Sequence, residues 1–181
     1  MKIKYKKIAI FDLDGTLYKD NSHIDILNCY YKTNFFNSFL FKILGKLFPK
    51  VQLLIMNRLY EKIPMNVKKS HVCAFSTKVV GILKKKVKEG FYPIILSSAP
   101  LELIETAASK LKVDFYKCTS GEKHIVLGEK YIYDYLFVCT DNKTDINLLK
   151  IADEAVITAK KENHGYFKKK LLGGKYIFID I

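Results

Sequence analysis

Short apolar runs alternate along this chain with stretches in which apolar residues recur at every third or fourth position. The strongest runs lie at 8–11, 92–96 and 135–139, with others at 115–119, 154–158 and 176–179. A short uninterrupted apolar run is typical of a strand buried on both faces, and the wider spacing is typical of a helix. The alternation therefore predicts an α/β fold: a doubly wound, mostly parallel, Rossmann-like sheet with an edge strand at 176–179.

One long segment, 18–76, interrupts this alternation and is predicted to be an inserted α-helical cap. It divides the expected core into 1–17 and 77–181. Ser22, with Asp25 three residues later, indicates where the first helix of the cap begins, since this spacing is close to that of a capping box.

The middle of the predicted cap is apolar and basic. Residues 35–48 predict a helix that ends at Pro49, and 51–62 predict another. Three lysines four residues apart are expected to form one stripe beside three apolar residues: Lys42, Lys46 and Lys50, with Phe39, Ile43 and Leu47. One interpretation is a helical bundle packed on itself, which the usual burial of aromatic stripes favours. The other is a basic surface that lies on a membrane or over an anionic substrate.

The formal net charge of +13 is carried almost entirely by lysine, because Arg58 is the sole arginine in the sequence. Specific readout of bases or phosphates favours the planar fork of arginine. We therefore interpret most of the charge as solvated surface and expect no nucleic acid partner. Processing of nucleic-acid ends, which the charge alone would suggest, is disfavoured because the sequence has no recognisable nucleic-acid-binding motif.

The four cysteines are Cys29, Cys73, Cys118 and Cys139, and their spacing matches neither a CxxC motif nor a zinc site. The apolar run after the basic N-terminus is too short for a signal peptide and stops at Asp12. No stretch reaches the roughly 18 uncharged apolar residues of a membrane span. We therefore expect reduced, mostly buried thiols in a cytoplasmic protein, with peripheral membrane contact through the basic aromatic cap as an open alternative.

The strongest predicted strands all end in polar side chains. Asp12 and Asp14 follow the first strand, Ser97 follows the second, and Asp141 follows the third. The carboxyl ends of parallel strands meet at one edge of a sheet, where α/β proteins place their sites. Gly15 lets the chain turn sharply there and brings backbone N–H groups close to a ligand. We therefore expect these residues to line one crevice.

Carboxylates, a hydroxyl and an ammonium in one crevice suit phosphoryl chemistry. Asp145 adds a carboxylate four residues after Asp141, and Lys123 lies between the second and third strong strands. Mg²⁺ prefers oxygen ligands and is held by a few carboxylates with water and substrate phosphate. A carboxylate can also act as a nucleophile through an aspartyl-phosphate, while a cation and a hydroxyl stabilise the phosphoryl oxygens.

These residues resemble the four motifs of the haloacid dehalogenase-like (HAD) phosphohydrolases. The first motif, DxDGT, is matched throughout by residues 12–16. The second is an apolar strand ending in Ser or Thr, matched by 94–97, and the third is a lone lysine, matched by Lys123. The fourth is an acidic pair at a strand end, matched by Asp141 and Asp145. The resemblance covers the scaffold and places the helical insertion at the position of the family's C1 cap.

The resemblance implies a role for each matching residue. Asp12 would attack phosphorus, and Asp14 would protonate the leaving oxygen and then activate water. Mg²⁺ would be held by the Asp12 side chain, the backbone carbonyl of Asp14, and Asp141. Asp145 would support the metal through water or would orient Lys123. An acid two places after the nucleophile favours phosphoryl transfer, since the dehalogenases of the family lack it.

The resemblance also implies a set of substrate-binding residues: Gly15, Thr16, Ser97, Ser98 and Lys123. Ser97 and Lys123 would bind phosphoryl oxygens, and Thr16 would hold Asp14 in place. Ser97 and Ser98 have a second interpretation as caps of the helix that follows.

The chain departs from the family pattern in the last two motifs. Thr140 stands where glycine is common, and Asn142 stands where serine is common. The stretch before Lys123 is short, so Lys130 is an alternative for the phosphate-binding lysine. Either lysine alone is also compatible with an ordinary surface position.

Within the family, the LSSAP sequence after the second strand and the helical insertion resemble the phosphoserine phosphatase-like branch. The basic, Phe-rich part of the insertion also resembles the HAD domains that accompany prenyltransferases acting on lipid-linked sugars. The resulting hypothesis is a Mg²⁺-dependent phosphomonoester hydrolase acting on a small or lipid-linked phosphorylated metabolite. Two alternatives stay open: a membrane-surface phosphatase of a polyprenyl-linked sugar phosphate, and a catalytically silent HAD-fold binding protein.

Overall fold

The computed structural model describes residues 2–171 and 173–180, and it contains one sheet of six parallel strands. The strands are β1 (Ile3–Phe11), β2 (Tyr92–Ser97), β3 (Asp114–Lys117), β4 (Tyr131–Thr140), β5 (Glu154–Ile157) and β6 (Tyr176–Phe178). Their order across the sheet is β3-β2-β1-β4-β5-β6. The predicted α/β, doubly wound fold is therefore confirmed, and the C-terminal strand lies at the sheet edge as expected.

Nine α-helices are assigned within the described residues. Four lie between β1 and β2 before the core resumes: α1 (Ser22–Tyr30), α2 (Phe39–Leu47), α3 (Pro49–Glu61) and α4 (Met65–Ser70). The other five are α5 (Thr77–Lys88), α6 (Leu101–Leu111), α7 (Lys123–Lys130), α8 (Ile146–Lys150) and α9 (Lys161–Lys170). Three irregular turns also matter for the site or the insertion: Leu13–Leu17, Phe35–Asn37 and Lys143–Asp145.

The sheet has a hydrophobic core on each face. Successive side chains of a strand point to opposite faces, so Ala9 and Phe11 of β1 join one cluster and Ile8 and Ile10 join the other. Helices α5 and α6 cover the first face, and α7, α8 and α9 cover the second. Both faces of the second half of β1 are buried, which explains why residues 8–11 are an uninterrupted apolar run.

The strand register brings three strand ends to one level. Phe11 of β1 pairs with Ile95 of β2 on one side and with Cys139 of β4 on the other. Asp12 therefore follows β1 at the level of Leu96 and Thr140, close to the ends of both neighbouring strands. The crevice predicted from the polar strand ends is a direct consequence of this register.

The insertion has its own hydrophobic cluster, drawn from α1, the Phe35–Asn37 turn, α2 and α3: Ile26, Leu27, Phe36, Phe41, Met56, Tyr60 and Ile63, with Leu103 of α6. The chain leaves and re-enters the core side by side, since Tyr18 and Phe75 form an antiparallel bridge. The Tyr60 hydroxyl donates to Glu102 of α6 at 3.0 Å and fixes the insertion to the core. A division of the chain at 17/18 and 76/77 remains a prediction.

The expected long helix over residues 35–48 is wrong. The Phe35–Asn37 turn comes first, and Ser38 then caps α2 by accepting a hydrogen bond from the Phe41 N–H. Phe48 breaks the helical path, and Pro49 opens α3 instead of ending a helix, because proline fits the first turn. Lys50 therefore lies on α3, and the three lysines do not form one helical stripe.

Other boundaries differ by smaller amounts. β1 begins at Ile3, five residues before the apolar run. The run does not indicate this start, because the first half of the strand is partly exposed and contains several lysines. The cap of α1 is Asn21, which accepts from the Ile24 N–H, and Ser22 is the first helical residue. The helix expected over 142–152 is a short 3₁₀ turn followed by α8.

The cysteines are mostly buried, as the sequence predicts. In the described residues all four thiols are free, with Cys29 exposed and the other three buried. Among those residues, no helix combines the length and the apolar composition that crossing a bilayer requires.

Phe137→Ala is expected to lower the free energy of unfolding by about 3–5 kcal/mol, because a large core side chain leaves a cavity. The Phe137 ring is fully buried and packs against the Phe11 ring at a centroid distance of 5.7 Å. Ile132→Ala on the same strand is the control, since its side chain is half exposed and should cost less than about 1 kcal/mol. Denaturant titration followed by circular dichroism measures both, and equal losses would contradict this packing.

Candidate active site

Asp12 lies at the centre of the crevice, one residue beyond the end of β1. Its N–H donates to the Cys139 carbonyl at 2.9 Å, which continues the pairing of β1 with β4. Its Oδ1 accepts from the Leu13 N–H at 2.8 Å and pairs with the Lys123 ammonium at 2.9 Å. The carboxylate is thus held in one orientation, and its residue is 5% exposed. Burial raises the pKa of Asp12, and the Lys123 charge opposes that rise.

Gly15 makes the sharp turn that the sequence predicts. Its φ is +66°, in the left-handed region that glycine tolerates best. A Cβ at this position would collide with the Asp141 carboxylate. The glycine therefore serves close approach as well as turning, and it lets the acidic residue after β4 lie directly against the turn after β1.

Thr16 is completely buried and contacts a different carboxylate from the one expected. Its hydroxyl donates to Asp141 Oδ1 at 3.2 Å and accepts from the Asp141 N–H at 3.0 Å. It also lies 3.2 Å from the Thr158 hydroxyl, which donates to the Gly15 carbonyl. The hydroxyl therefore contacts Asp141 instead of Asp14, and the expectation that Thr16 holds Asp14 is wrong. The assignment of Thr16 to substrate binding remains a prediction.

Asp14 is held by the start of the inserted segment. Its Oδ1 accepts from the Ser22 N–H at 2.8 Å, at the first residue of α1. Burial raises the pKa of Asp14 to about 6, although the hydrogen bond from Ser22 lowers it. A carboxyl with a pKa near neutrality can give up and take back a proton at working pH. Sequence reasoning did not identify Ser22 as a partner of Asp14.

Ser97 is the last residue of β2, and Ser98 follows it. The Ser97 hydroxyl is nearly buried and accepts from the Ala99 N–H at 3.2 Å, so it also stabilises the turn into α6. Ser98 is exposed. Both serines line the same cleft as Asp12. Ser97 therefore fits both interpretations made from the sequence, because it caps the turn into α6 and also lines the crevice.

Lys123 is the lysine that reaches the site. It is the first residue of α7, its side chain is 2% exposed, and its ammonium lies 2.9 Å from Asp12 and 2.7 Å from Asp145. Two carboxylates at these distances keep its pKa above the ordinary value despite burial. Lys130, the alternative, is instead exposed and lies over the Tyr116 ring at 4.5 Å.

Asp145 lies behind Lys123, away from the open cleft. Its Oδ2 accepts from the Thr140 hydroxyl at 2.7 Å as well as from the lysine, and it does not line the cleft. Of the two supporting roles implied for it, orientation of Lys123 fits this position. Direct contact between Asp145 and a metal in the cleft does not.

Thr140 and Thr158 were not identified as site residues from sequence. The Thr140 hydroxyl lies 3.3 Å from Asp12 Oδ2, so this residue links the nucleophile candidate to Asp145. Its hydroxyl accounts for the departure from glycine at this position. Both threonines directly follow buried apolar runs, and the same strand-end rule that selected Ser97 would have found them.

The donor set fits a hard divalent cation. Asp12, Asp14 and Asp141 line one cavity of about 480 Å³, and the Lys123 ammonium is occupied by Asp12 and Asp145. Burial raises the pKa of Asp141 to about 7, with the nearby Asp12 charge adding to the effect. Carboxylates crowded in this way repel, and oxygen ligands around a cation relieve that repulsion. These residues therefore fit Mg²⁺.

A second cavity of about 450 Å³ adjoins the cleft and reaches into the insertion. Ser98 lines both cavities, and the second is also lined by residues from α1, α3, α4, α6 and β3, among them His23, Leu53, Tyr60, Lys68 and Lys117. His23 is nearly buried, and burial lowers its pKa to about 4, so its ring is neutral at pH 7. Asp25 does not line this cavity. It pairs instead with His71 at 2.9 Å, beside the Cys73 thiol.

Comparison with solved structures gives the same fold. A substrate-bound phosphoserine phosphatase complex matches with a TM-score of 0.64 at 19% identity, over 99% of this chain and 95% of that chain. A phospho-aspartyl intermediate analogue of phosphoserine phosphatase matches with a TM-score of 0.65 at 18% identity, over 97% and 94%. A phosphoserine phosphatase from T. onnurineus in complex with NDSB-201 matches with a TM-score of 0.61 at 16% identity, over 97% and 90%.

These identities are low, so the likeness establishes the fold and leaves the chemistry to the residues. No protein-family model matches the chain, and no curated protein matches it. The three structural matches each cover 97% or more of this chain.

The raised pKa values predict how stability changes with pH. An acid whose pKa is higher in the folded protein binds protons more readily there, so stability falls as pH rises towards that pKa. For Asp14 and Asp141, with pKa values of about 6 and about 7, the fall extends from about pH 4 to 7. His23 acts in the opposite direction below its ordinary pKa, so the difference between wild type and Asp141→Asn isolates the Asp141 contribution.

We expect Asp141→Asn to raise the Tm of the metal-free protein above wild type at pH 7.5 and to lose that advantage near pH 4. Mg²⁺ should raise the wild-type Tm at pH 7.5 by on the order of 5 °C and leave the variant unchanged. Thermal denaturation across this pH range measures both effects. A variant that stays equally sensitive to pH and to Mg²⁺ would contradict the assignment.

Proposed function

We propose that this protein is a Mg²⁺-dependent phosphomonoester hydrolase that works through an aspartyl-phosphate. The observation that carries the proposal is the position of the Asp12 carboxylate. It is fixed at a strand end by Lys123 and the Leu13 N–H, and it faces a cleft that it shares with Asp14 and Asp141. A fixed carboxylate next to an acid with a pKa near neutrality is what a two-step phosphoryl transfer needs.

In the first step, an Asp12 carboxylate oxygen attacks phosphorus while the bond from phosphorus to the ester oxygen breaks. Asp14, in its protonated form, gives its proton to the departing oxygen, which leaves as an alcohol. In the second step, Asp14 takes a proton from water as the water oxygen attacks the same phosphorus. Inorganic phosphate leaves, the Asp12 carboxylate is regenerated, and Asp14 is protonated again.

Two residues would bind the transferred phosphoryl group, and a third positions one of them. Lys123, which lies 2.9 Å from Asp12, and Ser97, which lines the cleft with Asp12, would bind phosphoryl oxygens, where charge spreads during the transfer. Asp145 is a positioning residue, since it holds the Lys123 ammonium at 2.7 Å. Lys123 thereby stays beside the nucleophile when substrate is absent.

Mg²⁺ would be held by the Asp12 and Asp141 carboxylates and by the backbone carbonyl of Asp14. When bound, it supplies positive charge that offsets both the crowded carboxylates and the phosphoryl oxygens. Thr16 holds Asp141, one of these ligands, in place, because its hydroxyl hydrogen-bonds both the backbone N–H and the carboxylate of that residue.

The substrate class proposed is a small phosphorylated metabolite. The cavity next to Ser98 would take the group that carries the phosphate. Its lining includes charges of both signs, from Lys68, Lys117, Glu61 and Glu102, and apolar walls from Leu53 and Tyr60. The structural matches to phosphoserine phosphatases support the reaction class. They do not extend to the substrate, because the sequence identities are below 20%.

Asp12→Asn should abolish hydrolysis of an aryl phosphate in the presence of Mg²⁺, with kcat reduced by about a thousandfold or more, because the amide is a poor nucleophile. Asp134→Asn is the matched control, since Asp134 is exposed on β4 and should leave kcat unchanged. Release of p-nitrophenol measures the rates. A wild-type protein that is inert with Mg²⁺ against a panel of phosphomonoesters would refute the proposed function.

Lys123→Met should lower both activity and stability, whereas Lys130→Met should change neither. Loss of the ammonium leaves two buried carboxylates without their partner, which costs about 3–5 kcal/mol. Thermal denaturation and kcat/KM for the aryl phosphate are measured for both variants. Equal behaviour of the two lysines would contradict the role of Lys123.

A further inference from the structure

The hairpin of α2 and α3 exposes an unusual amount of apolar surface. Phe39 and Leu40 are 75% and 72% exposed. Of the twenty large apolar side chains that are exposed in the described residues, nine lie within residues 35–54. Soluble monomers rarely expose contiguous apolar patches of this kind, and such patches mark surfaces of interaction.

Six of these side chains form what we call the apolar tip: Phe39, Leu40, Ile43, Leu47, Phe48 and Val51. Phe39, Ile43 and Leu47 are four residues apart, so they share one side of α2. The opposite side of α2 is already used, because Phe41 is buried in the core of the insertion and Gly45 approaches Gln52 of α3 closely.

The apex of the hairpin projects into solvent. Every residue from Lys46 to Val51 is exposed, including Phe48 and Pro49 at the junction of the two helices. The Gln52 amide donates to the Phe41 carbonyl at 2.8 Å and holds α2 and α3 together behind the apex. The apolar tip is therefore a preformed surface and not the frayed end of a helix.

Charge decides which partner suits the apolar tip. Between Asp25 and Glu61 the chain contains five basic residues and no acidic residue. Lys42, Lys46 and Lys50 lie among the tip residues and are exposed. The positive charge of the lysines favours a partner with an anionic surface. The apolar side chains between them favour a surface into which these side chains can insert.

We propose that the apolar tip docks on the surface of an anionic lipid bilayer. An interfacial helix of this kind places apolar side chains at the boundary of headgroups and acyl chains, while lysines contact anionic headgroups. A second copy of the chain fits less well, because a symmetric contact would bring the lysines of one copy against those of the other. Nucleic acid offers no counterpart for leucine and isoleucine side chains.

The absence of tryptophan from the chain makes a direct test possible. Phe48→Trp places a single fluorophore at the apex, and Tyr166→Trp places one on α9, away from the insertion. With vesicles of phosphatidylcholine and phosphatidylglycerol at low salt, we expect a blue shift and quenching by brominated lipid for Phe48→Trp only. Pure phosphatidylcholine vesicles should give a much smaller shift.

Sedimentation of the wild-type protein with the same vesicles tests the charges. Lys42→Gln, Lys46→Gln and Lys50→Gln together should weaken binding by on the order of tenfold, because each lysine near an anionic surface contributes. The control carries the same charge change on the core: Lys84→Gln, Lys88→Gln and Lys169→Gln. It should bind vesicles like wild type.

Hydrolysis of a soluble aryl phosphate is measured for every variant, so that failure of the proposed function and failure of docking are separate results. We expect it to be unchanged in all of them. No blue shift and no sedimentation at low salt would overturn the docking proposal. Concentration-dependent dimers without vesicle binding would assign the surface to a second copy and overturn it equally.

Discussion

A buried ammonium between two buried carboxylates is the interaction on which the site depends. Lys123 comes from the start of α7, Asp12 from the end of β1, and Asp145 from the turn before α8. Three charges out of water are unfavourable unless they are paired with good geometry. The distances of 2.9 and 2.7 Å therefore require these three elements to be packed at fixed positions. The cores on both faces of the sheet provide that fixed packing.

The remaining carboxylates are arranged by hydroxyls and backbone groups instead of cations. Thr16 and Gly15 bring Asp141 against the first turn, and Ser22 holds Asp14. Burial raises their pKa values, to about 6 for Asp14 and about 7 for Asp141, although the Lys123 charge opposes both rises. The burial of these two carboxylates has two consequences. It gives the site an acid that can exchange protons near neutrality, and it gives the cleft an excess of oxygen ligands.

The sequence predicts which residues form the site better than it predicts how those residues contact one another. Apolar runs locate the strands, and the polar residues at their ends select Asp12, Ser97 and Asp141, because strand ends meet wherever the sheet is parallel. The partners of these residues are harder to find. Thr16 and Asp141 are 125 residues apart, and which carboxylate a hydroxyl contacts depends on strand register and on the turn at Gly15. A local sequence pattern determines neither the strand register nor the geometry of that turn.

The insertion was predicted less well for a related reason. Hydrophobic spacing indicates helices in 35–62 but does not show that Phe48 separates two of them. Spacing also cannot distinguish an apolar face that packs inwards from one that is exposed, since Phe41 and Phe39 both fit helical periodicity. Only Phe41 joins the core of the insertion. The preference for a self-packed bundle was therefore right for one side of α2 and wrong for the other.

Helix α3 connects the two functional regions and limits how they can cooperate. It begins at the apex with Pro49, and near its other end Tyr60 bonds to Glu102 on α6, the helix that follows Ser97 and Ser98. A helix rises about 1.5 Å per residue, so its thirteen residues put the apex roughly 20 Å from that contact. A soluble phosphate would still diffuse into the cleft of a docked protein. A phosphate on a lipid headgroup would have to extend across that distance. Docking therefore does not by itself imply a lipid-borne substrate, and the two properties have to be established separately.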